Sequence, residues 1–330
     1  MRITLLRTWI SNIGNGFIDK GARSILSEAF PDAEIVEVSG FPNYVGDVRA
    51  SLGLKQKLGL DRSNHQRLDH PDRQRAINIA EYIDTDLIVL PGCVLYEWVF
   101  RKYAPTFRRL PTQNTPVFFL GSGGGNYESE TQDTARRYLS SFNVDALFTR
   151  DSDAYRCYAD DVEYSYSGID CAFFIDEWYD PPKSTEPFTV HTFDKQQEPE
   201  DLTTENTVIR PDHAPFGHPQ TIHIKEQLQR LKGKGSYKGD NVLYSDLLED
   251  YLFVYANATL TRTDRVHACV PTLVYGGKAQ FFYSTPRAAL FKELLDSDIS
   301  KQPVALDQER LQAEKQALVD AVRDAYEQFG

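Results

Sequence analysis

Residues 258–282, ATLTRTDRVHACVPTLVYGGKAQFF, constrain the fold more than any other stretch of this chain. Residues 258–263 alternate and carry β-branched side chains, which predicts a short strand. Asp264 then stands where the N-cap of a helix belongs. Val266, Val270, Leu273 and Val274 follow at helical spacing, and Gly276-Gly277 closes the element as a C-cap does. Residues 279–282 form an apolar run of strand length. Strand, helix and strand in about 25 residues make one βαβ unit, the building block of a parallel sheet.

Arg265 and His267 fall in the first turn of that helix. Backbone N–H groups and the positive end of the helix already favour an anion there. A fixed cation and a titratable imidazole at such a place make a candidate site for phosphate or carboxylate. The plainer reading stands beside it: Arg265 in a surface salt bridge and His267 as a half-buried polar residue.

The rest of the chain repeats the α/β pattern. Residues 2–9 read as a first strand, 11–16 as a Gly-Asn turn, 17–30 as a helix and 34–38 as a second strand. Residues 41–70 are polar and irregular. A helix is expected over 73–83, a buried strand over 86–91, a helix over 96–110 and a buried strand over 115–120. That last strand runs into Gly121-Ser122-Gly123-Gly124-Gly125-Asn126, the most glycine-rich loop of the chain. Glycines beyond a buried strand let a ligand approach the backbone, and ligands of open α/β sheets bind beyond the carboxyl ends of strands. A helix over 131–142, a strand over 146–149 and a helix opening at Arg150-Asp151-Ser152 follow.

Composition shifts after Asp176 into WYDPPKST, which reads as a linker, so the domains are expected at 1–176 and 177–330. Beyond it, strands are expected over 188–193 and 207–211, helices over 225–234 and 245–251, and a helix opening at Pro286 and running to Leu295. His213, His218 and His223 recur every five residues, a spacing that matches one face of neither helix nor strand, so a solvated loop is expected and no metal. Residues 306–329 predict a long amphipathic helix that packs.

Composition narrows the partners. The net charge of −12 argues against nucleic acid or an anionic membrane, which need clustered positive charge. No apolar run approaches the length of a transmembrane helix, and the N-terminus lacks the pattern of a signal peptide, so a cytoplasmic location is expected. Cys93, Cys157, Cys171 and Cys269 are isolated, and reduced thiols are expected.

Several stretches resemble, in order, the polysaccharide pyruvyl transferase family. Asn12-Ile13-Gly14-Asn15 resembles its N-x-G-D loop, with Asn15 in place of the aspartate. Residues 86–92 resemble its D-L-hydrophobic-G-G turn, although Pro91-Gly92-Cys93 replaces a run of glycines. Residues 116–125 resemble its strand and glycine loop, Arg150-Asp151 its R-D segment and residues 168–174 its pD-x-a-f stretch. Arg265-Val266-His267-Ala268 resembles its R-[LV]-H-a signature, and Arg287 falls where the family often has a basic residue. Residues 177–255 match no part of the pattern.

The resemblance implies a GT-B-like architecture, two Rossmann-like α/β domains facing across a cleft, with Arg150 opposite Arg265 and His267. It also implies transfer of a pyruvyl group from phosphoenolpyruvate to a sugar or lipid-linked glycan, as a ketal bridging two hydroxyls. On that basis Arg150, Arg265 and His267 are the expected catalytic residues. Donor contacts are expected from these three together with Val266, Gly123, Gly124, Asn12 and Arg287, with no metal and no cofactor beyond the co-substrate. Peripheral membrane contact and oligomeric state stay open.

The residue chemistry agrees on independent grounds. Phosphoenolpyruvate carries two anionic groups, and two guanidinium forks suit them. Ketal formation needs protonation of the methylene carbon, a base for each attacking hydroxyl and an acid for departing phosphate. Histidine titrates in the right range. Asp151, Asp170 and Asp264 read as caps or salt-bridge partners. Two alternatives remain at this stage: a GT-B glycosyltransferase using a nucleotide sugar, and a non-catalytic protein that binds glycans or anions.

Overall fold

Strand β1 (Arg2–Arg7), helix α1 (Ile13–Ala29) and strand β2 (Glu34–Ser39) form the expected N-terminal βαβ unit, with β1 and β2 parallel and in register from Arg2 opposite Glu34. The computed structural model describes residues 1–8, 12–40, 77–92, 94–112, 114–202, 204–213 and 240–330. The irregular stretch 41–70, the expected helix 225–234, and Cys93, His218 and His223 lie outside the described residues.

Strand β3 (Leu87–Pro91), helix α2 (Glu97–Phe107), strand β4 (Val117–Ser122), helix α3 (Ser129–Ser141), strand β5 (Ala146–Thr149), helix α4 (Ser152–Tyr158) and strand β6 (Tyr164–Ser167) continue the alternation. All six strands pair in parallel, in the order β2-β1-β3-β4-β5-β6. Every residue of β3, β4 and β5 is buried. Burial of both strand faces is why these segments read as unbroken apolar runs instead of alternating ones. Phe107 stacks on Phe142 at 4.2 Å and Phe100 on Tyr138 at 5.0 Å, filling the layer beside the sheet.

After a 3-10 turn at Cys171–Phe174 comes the short helix α5 (Ile175–Trp178). Strands β7 (Phe188–Thr192), β8 (Thr207–Pro211) and β9 (Val242–Leu243), helix α6 (Leu248–Asn257), strand β10 (Ala258–Thr263), helix α7 (Val266–Val274), strand β11 (Lys278–Phe281) and helix α8 (Gln308–Phe329) complete the order. The second sheet runs β11-β10-β7-β8-β9 and is parallel throughout. Helix α7 packs on β10 and β11. Each of its residues except His267 is buried. A fully buried Val or Leu contributes about 1.5–3 kcal/mol, so this helix is held by its apolar face, and His267 is the exception that packing does not explain.

The chain divides into two compact units that are discontinuous in sequence. One comprises Met1–Trp9, Leu26–Gly168 and Val319–Gly330, the other Ile10–Ile25 and Ile169–Leu318. A single cut after residue 176 does not describe this interleaving. The first turns of α1 belong to the second unit because Phe17 packs edge-on against His213 and Tyr255 there. In the same unit α8 is anchored by Lys315, which is 3% exposed and reaches both carboxylate oxygens of Asp176 at 2.6 and 2.8 Å.

Several local expectations need correction. Of the helix expected over 73–83, the described part is a 3-10 helix at Ile79–Tyr82, started by a reciprocal cap between Asn78 and Glu81. The helix expected over 245–251 lies instead at Leu248–Asn257, and that expected from Pro286 to Leu295 is a 3-10 helix ending at Phe291. His213 is not solvated: it is fully buried and hydrogen-bonds the Tyr255 hydroxyl through Nε2. Asp264 does not cap α7, where the N-cap is Arg265 without a side-chain cap. Cys157, Cys171 and Cys269 are free thiols.

Candidate functional site

The carboxyl ends of β7, β10 and β11 in the second unit bring several charged residues together. Asp264, which follows β10, is fully buried. Its carboxylate accepts backbone N–H groups from Asp194 (3.1 Å), Lys195 (2.7 Å) and Gln196 (3.0 Å), in the loop that follows β7. Three donors occupy the carboxylate's oxygens and outweigh the single bond that a helix cap would make. They also tie the β7 loop to the start of α7. Arg265 in turn donates through Nε to the Asp194 carboxylate, and its backbone N–H donates to Thr263 Oγ1 at 2.9 Å.

Lys195 is thereby set close to Arg265. Its ammonium lies 4.1 Å above the centre of the Tyr283 ring, in the segment that follows β11. Burial lowers the pKa of Lys195, the positive charges of Arg287 and Arg265 lower it further, and Asp264 and Asp194 partly oppose them. Three cations held within range of one another repel, and an anion placed among them relieves that repulsion. Arg287 itself is exposed, in the first turn of the 3-10 helix Pro286–Phe291.

Val266 and His267 open α7, where an α-helix leaves its first N–H groups outside its own ladder. The His267 side chain is 15% exposed, and its Nε2 lies 3.4 Å from Oδ2 of the fully buried Asp170. Gly14, in the first turn of α1, packs against His267. A Cβ built on Gly14 would stand 2.7 Å from the His267 Cβ and 3.1 Å from Nδ1, so only glycine allows this approach. Asn12 caps that turn: its Oδ1 accepts the Gly14 N–H at 3.1 Å and its carbonyl the Asn15 N–H at 2.9 Å.

A small depression opens beside Asp194, with His191, Glu198 and Arg210 in its wall. Arg210 forks onto Glu198 through Nε (2.7 Å) and Nη2 (2.9 Å), and His191 Nδ1 lies 2.6 Å from the same carboxylate. Burial pushes the Glu198 carboxyl up, but the hydrogen bonds from His191 and Arg210 outweigh it and hold the pKa at about 2.

The first unit places Arg150, Gly123 and Gly124 together at the carboxyl ends of β4 and β5. Arg150 is 1% exposed, with Nε 3.9 Å from Asp151 Oδ2. A side chain on Gly123 would collide with Nε of Arg150 and stand 3.0 Å from its Cγ, so glycine is required here by packing against the arginine. The Gly124 N–H donates to the Tyr127 hydroxyl at 2.9 Å, which donates in turn to Asp151. Asp151 caps α4 by accepting the Ala154 N–H at 2.8 Å.

The sequence matches the family model described as polysaccharide pyruvyl transferase over residues 12–280, a span that includes Asn12, Arg150, Asp170, Arg265 and His267. The chain belongs to this family. No curated protein matches it. Among solved structures it is similar to UDP-N-acetylglucosamine 2-epimerase from Rickettsia bellii, at 12% identity over 99% of this chain and 96% of that one, with a TM-score of 0.52. It is also similar to S. aureus MnaA solved with UDP, at 13% identity over 100% and 92% with a TM-score of 0.51. A putative UDP-N-acetylglucosamine 2-epimerase from Listeria monocytogenes matches at 12% over 99% and 89%, with a TM-score of 0.50. These likenesses establish the fold: two Rossmann-like α/β units of the GT-B-like kind, with a long C-terminal helix.

Within this family member the structure adds Lys195 to the residues read from the sequence. It stands in a charged loop with no motif around it, and the only hint of it was the acidic residue Asp264, which looked like a cap. Among the described residues no helix is long and apolar enough to cross a membrane.

Proposed function

We propose that the chain transfers a pyruvyl group from phosphoenolpyruvate to a sugar, as a ketal closed on two of its hydroxyls. Family membership supports a transferase. The observation that supports the finer reading is the grouping of Lys195 with Arg265 and Arg287 beyond the second sheet, with His267 two residues after Arg265 in the first turn of α7. The cations suit a small substrate with more than one anionic group, and the imidazole supplies a group that can both accept and donate a proton.

In this reading the cations hold the donor's anionic groups and the start of α7 adds its positive end. His267 moves protons. One proton goes to the methylene carbon, which becomes the methyl group, and C2 becomes electrophilic. The first sugar hydroxyl adds to C2 and loses its proton. The C2–O bond to phosphate breaks and phosphate leaves with one proton. The second hydroxyl then adds to C2 and loses its proton, closing the ketal. Two hydroxyl protons are released, one proton enters the methyl group and one leaves with phosphate, so the balance closes.

Phosphate release from phosphoenolpyruvate in the presence of a panel of glycosides tests this. Release that depends on a glycoside, with incorporation of a carboxyethylidene group, is expected. A protein that instead consumes a UDP-sugar, as the UDP-N-acetylglucosamine 2-epimerases among its structural neighbours are named for doing, would be a glycosyltransferase or epimerase. Binding without turnover would make it a glycan- or anion-binding protein.

A further inference from the structure

The carboxylate of Asp170 is fully buried, and burying a charge is costly unless its oxygens are occupied. One oxygen is fixed locally: Oδ1 accepts the Ala172 N–H at 2.9 Å, capping the 3-10 turn Cys171–Phe174. The Asp170 carbonyl accepts the Phe173 N–H at 3.0 Å. The first bond holds the carboxylate by Oδ1 and the second holds the backbone it hangs from, and Oδ2 faces Nε2 of His267, 97 residues further along the chain. The distance of 3.4 Å is at the long end for a hydrogen bond, as is common before substrate tightens a site. Gly14 packs against the Cβ end of the histidine side chain. The imidazole is therefore positioned by contacts with both Asp170 and the start of α1.

We propose that Asp170 is a positioning residue for His267: its carboxylate keeps the Nε2–H tautomer, so that the proton moved in the reaction passes through Nδ1. A carboxylate is an acceptor only, so the ring nitrogen facing it carries the proton, and the other nitrogen keeps the lone pair of a base. Asp170 acts through His267 and touches no substrate. The inference rests on the proposed proton-transfer role of His267, but the tautomer can be read without any turnover.

The test uses the full chain labelled with 15N-histidine, with the His267 signals assigned by difference from His267→Asn. Above the ordinary titration range of imidazole, wild-type His267 is expected to show a pyrrole-type Nε2 and a pyridine-type Nδ1. Asp170→Asn keeps an oxygen to cap Ala172 but offers Nε2 an N–H, so the tautomer is expected to invert. With phosphoenolpyruvate as donor, kcat should then fall by about 10²–10⁴-fold with KM changed less than about threefold. Wild-type His267 in the Nδ1–H form overturns the proposal, whether or not the variant folds. An Asp170→Asn enzyme with wild-type kcat overturns it too. If wild type releases no phosphate from phosphoenolpyruvate, the pyruvyl-transfer reading fails, while the tautomer measurement still decides the role of Asp170.

Discussion

Gly14 and His267 meet so closely that a Cβ on residue 14 would lie 2.7 Å from that of His267. The atom it would strike is close to the backbone of α7 and cannot swing away. Gly14→Ala must therefore displace the helix start or the histidine. Overpacking of this kind costs about 1–3 kcal/mol, and turnover should fall with it. Gly16 provides the control, because a Cβ there meets Leu248 Cδ1 at 2.9 Å, the free end of a side chain that can turn. Melting temperature and kcat of both variants check this; equal effects at the two positions would show that His267 is not confined by α1.

Lys195 is held among like charges, so its removal should separate binding from stability. A charge-assisted hydrogen bond is worth about 1.5–3 kcal/mol, so Lys195→Ala should weaken phosphoenolpyruvate about ten- to hundredfold. The melting temperature of the unliganded protein should stay level or rise, since burial and the charges of Arg287 and Arg265 disfavour the ammonium. Unchanged affinity together with a lower melting temperature would place Lys195 in the scaffold instead.

Much of this was legible because it is local. The βαβ unit at 258–282, with Arg265 and His267 at the head of its helix, lies within one short stretch, and strand–helix periodicity exposes it. The two sheets follow from buried apolar runs such as Leu87–Pro91. What stayed hidden depends on distant parts of the chain. Asp264 looks like a cap because the three N–H groups it accepts come from residues about 70 positions earlier. Asp170 caps a turn, as its surroundings suggest, and only the fold adds His267 to its other oxygen. His213 sits among polar residues and glycines in the sequence, yet the edges of Phe17, Tyr251 and Tyr255 enclose it. The glycine loop reads as a ligand-approach loop, and the close packing of Gly123 on Arg150 is a further reason for glycine there that the sequence does not show.

The His191–Glu198–Arg210 group gives the protein an acid-sensitive contribution to stability. The folded-state pKa of Glu198, about 2, lies below the ordinary value of 4.5, so the folded protein holds this carboxyl's proton less tightly than the unfolded chain does. The resulting stabilisation is present above the ordinary value and is lost as the pH falls through the window down to the folded-state value. Glu198→Gln should be less stable than wild type near neutrality, with the gap closing across that window. Urea midpoints of both proteins over the acid range measure it; a gap that is constant or widens on acidification would contradict the assignment.

The central claim is that the second unit binds phosphoenolpyruvate through Arg265 and turns it over through His267. Titration calorimetry with phosphoenolpyruvate, inorganic phosphate and UDP on wild type, Arg265→Ala, Arg265→Lys and His267→Asn tests it most directly. Wild type is expected to bind phosphoenolpyruvate. Arg265→Ala should bind it about ten- to hundredfold more weakly, and lysine should rescue in part, keeping the charge but not the fork. His267→Asn should keep most of the affinity while kcat falls by about 10²–10⁴-fold. A wild-type protein that gives no heat with millimolar phosphoenolpyruvate but binds UDP would contradict the account.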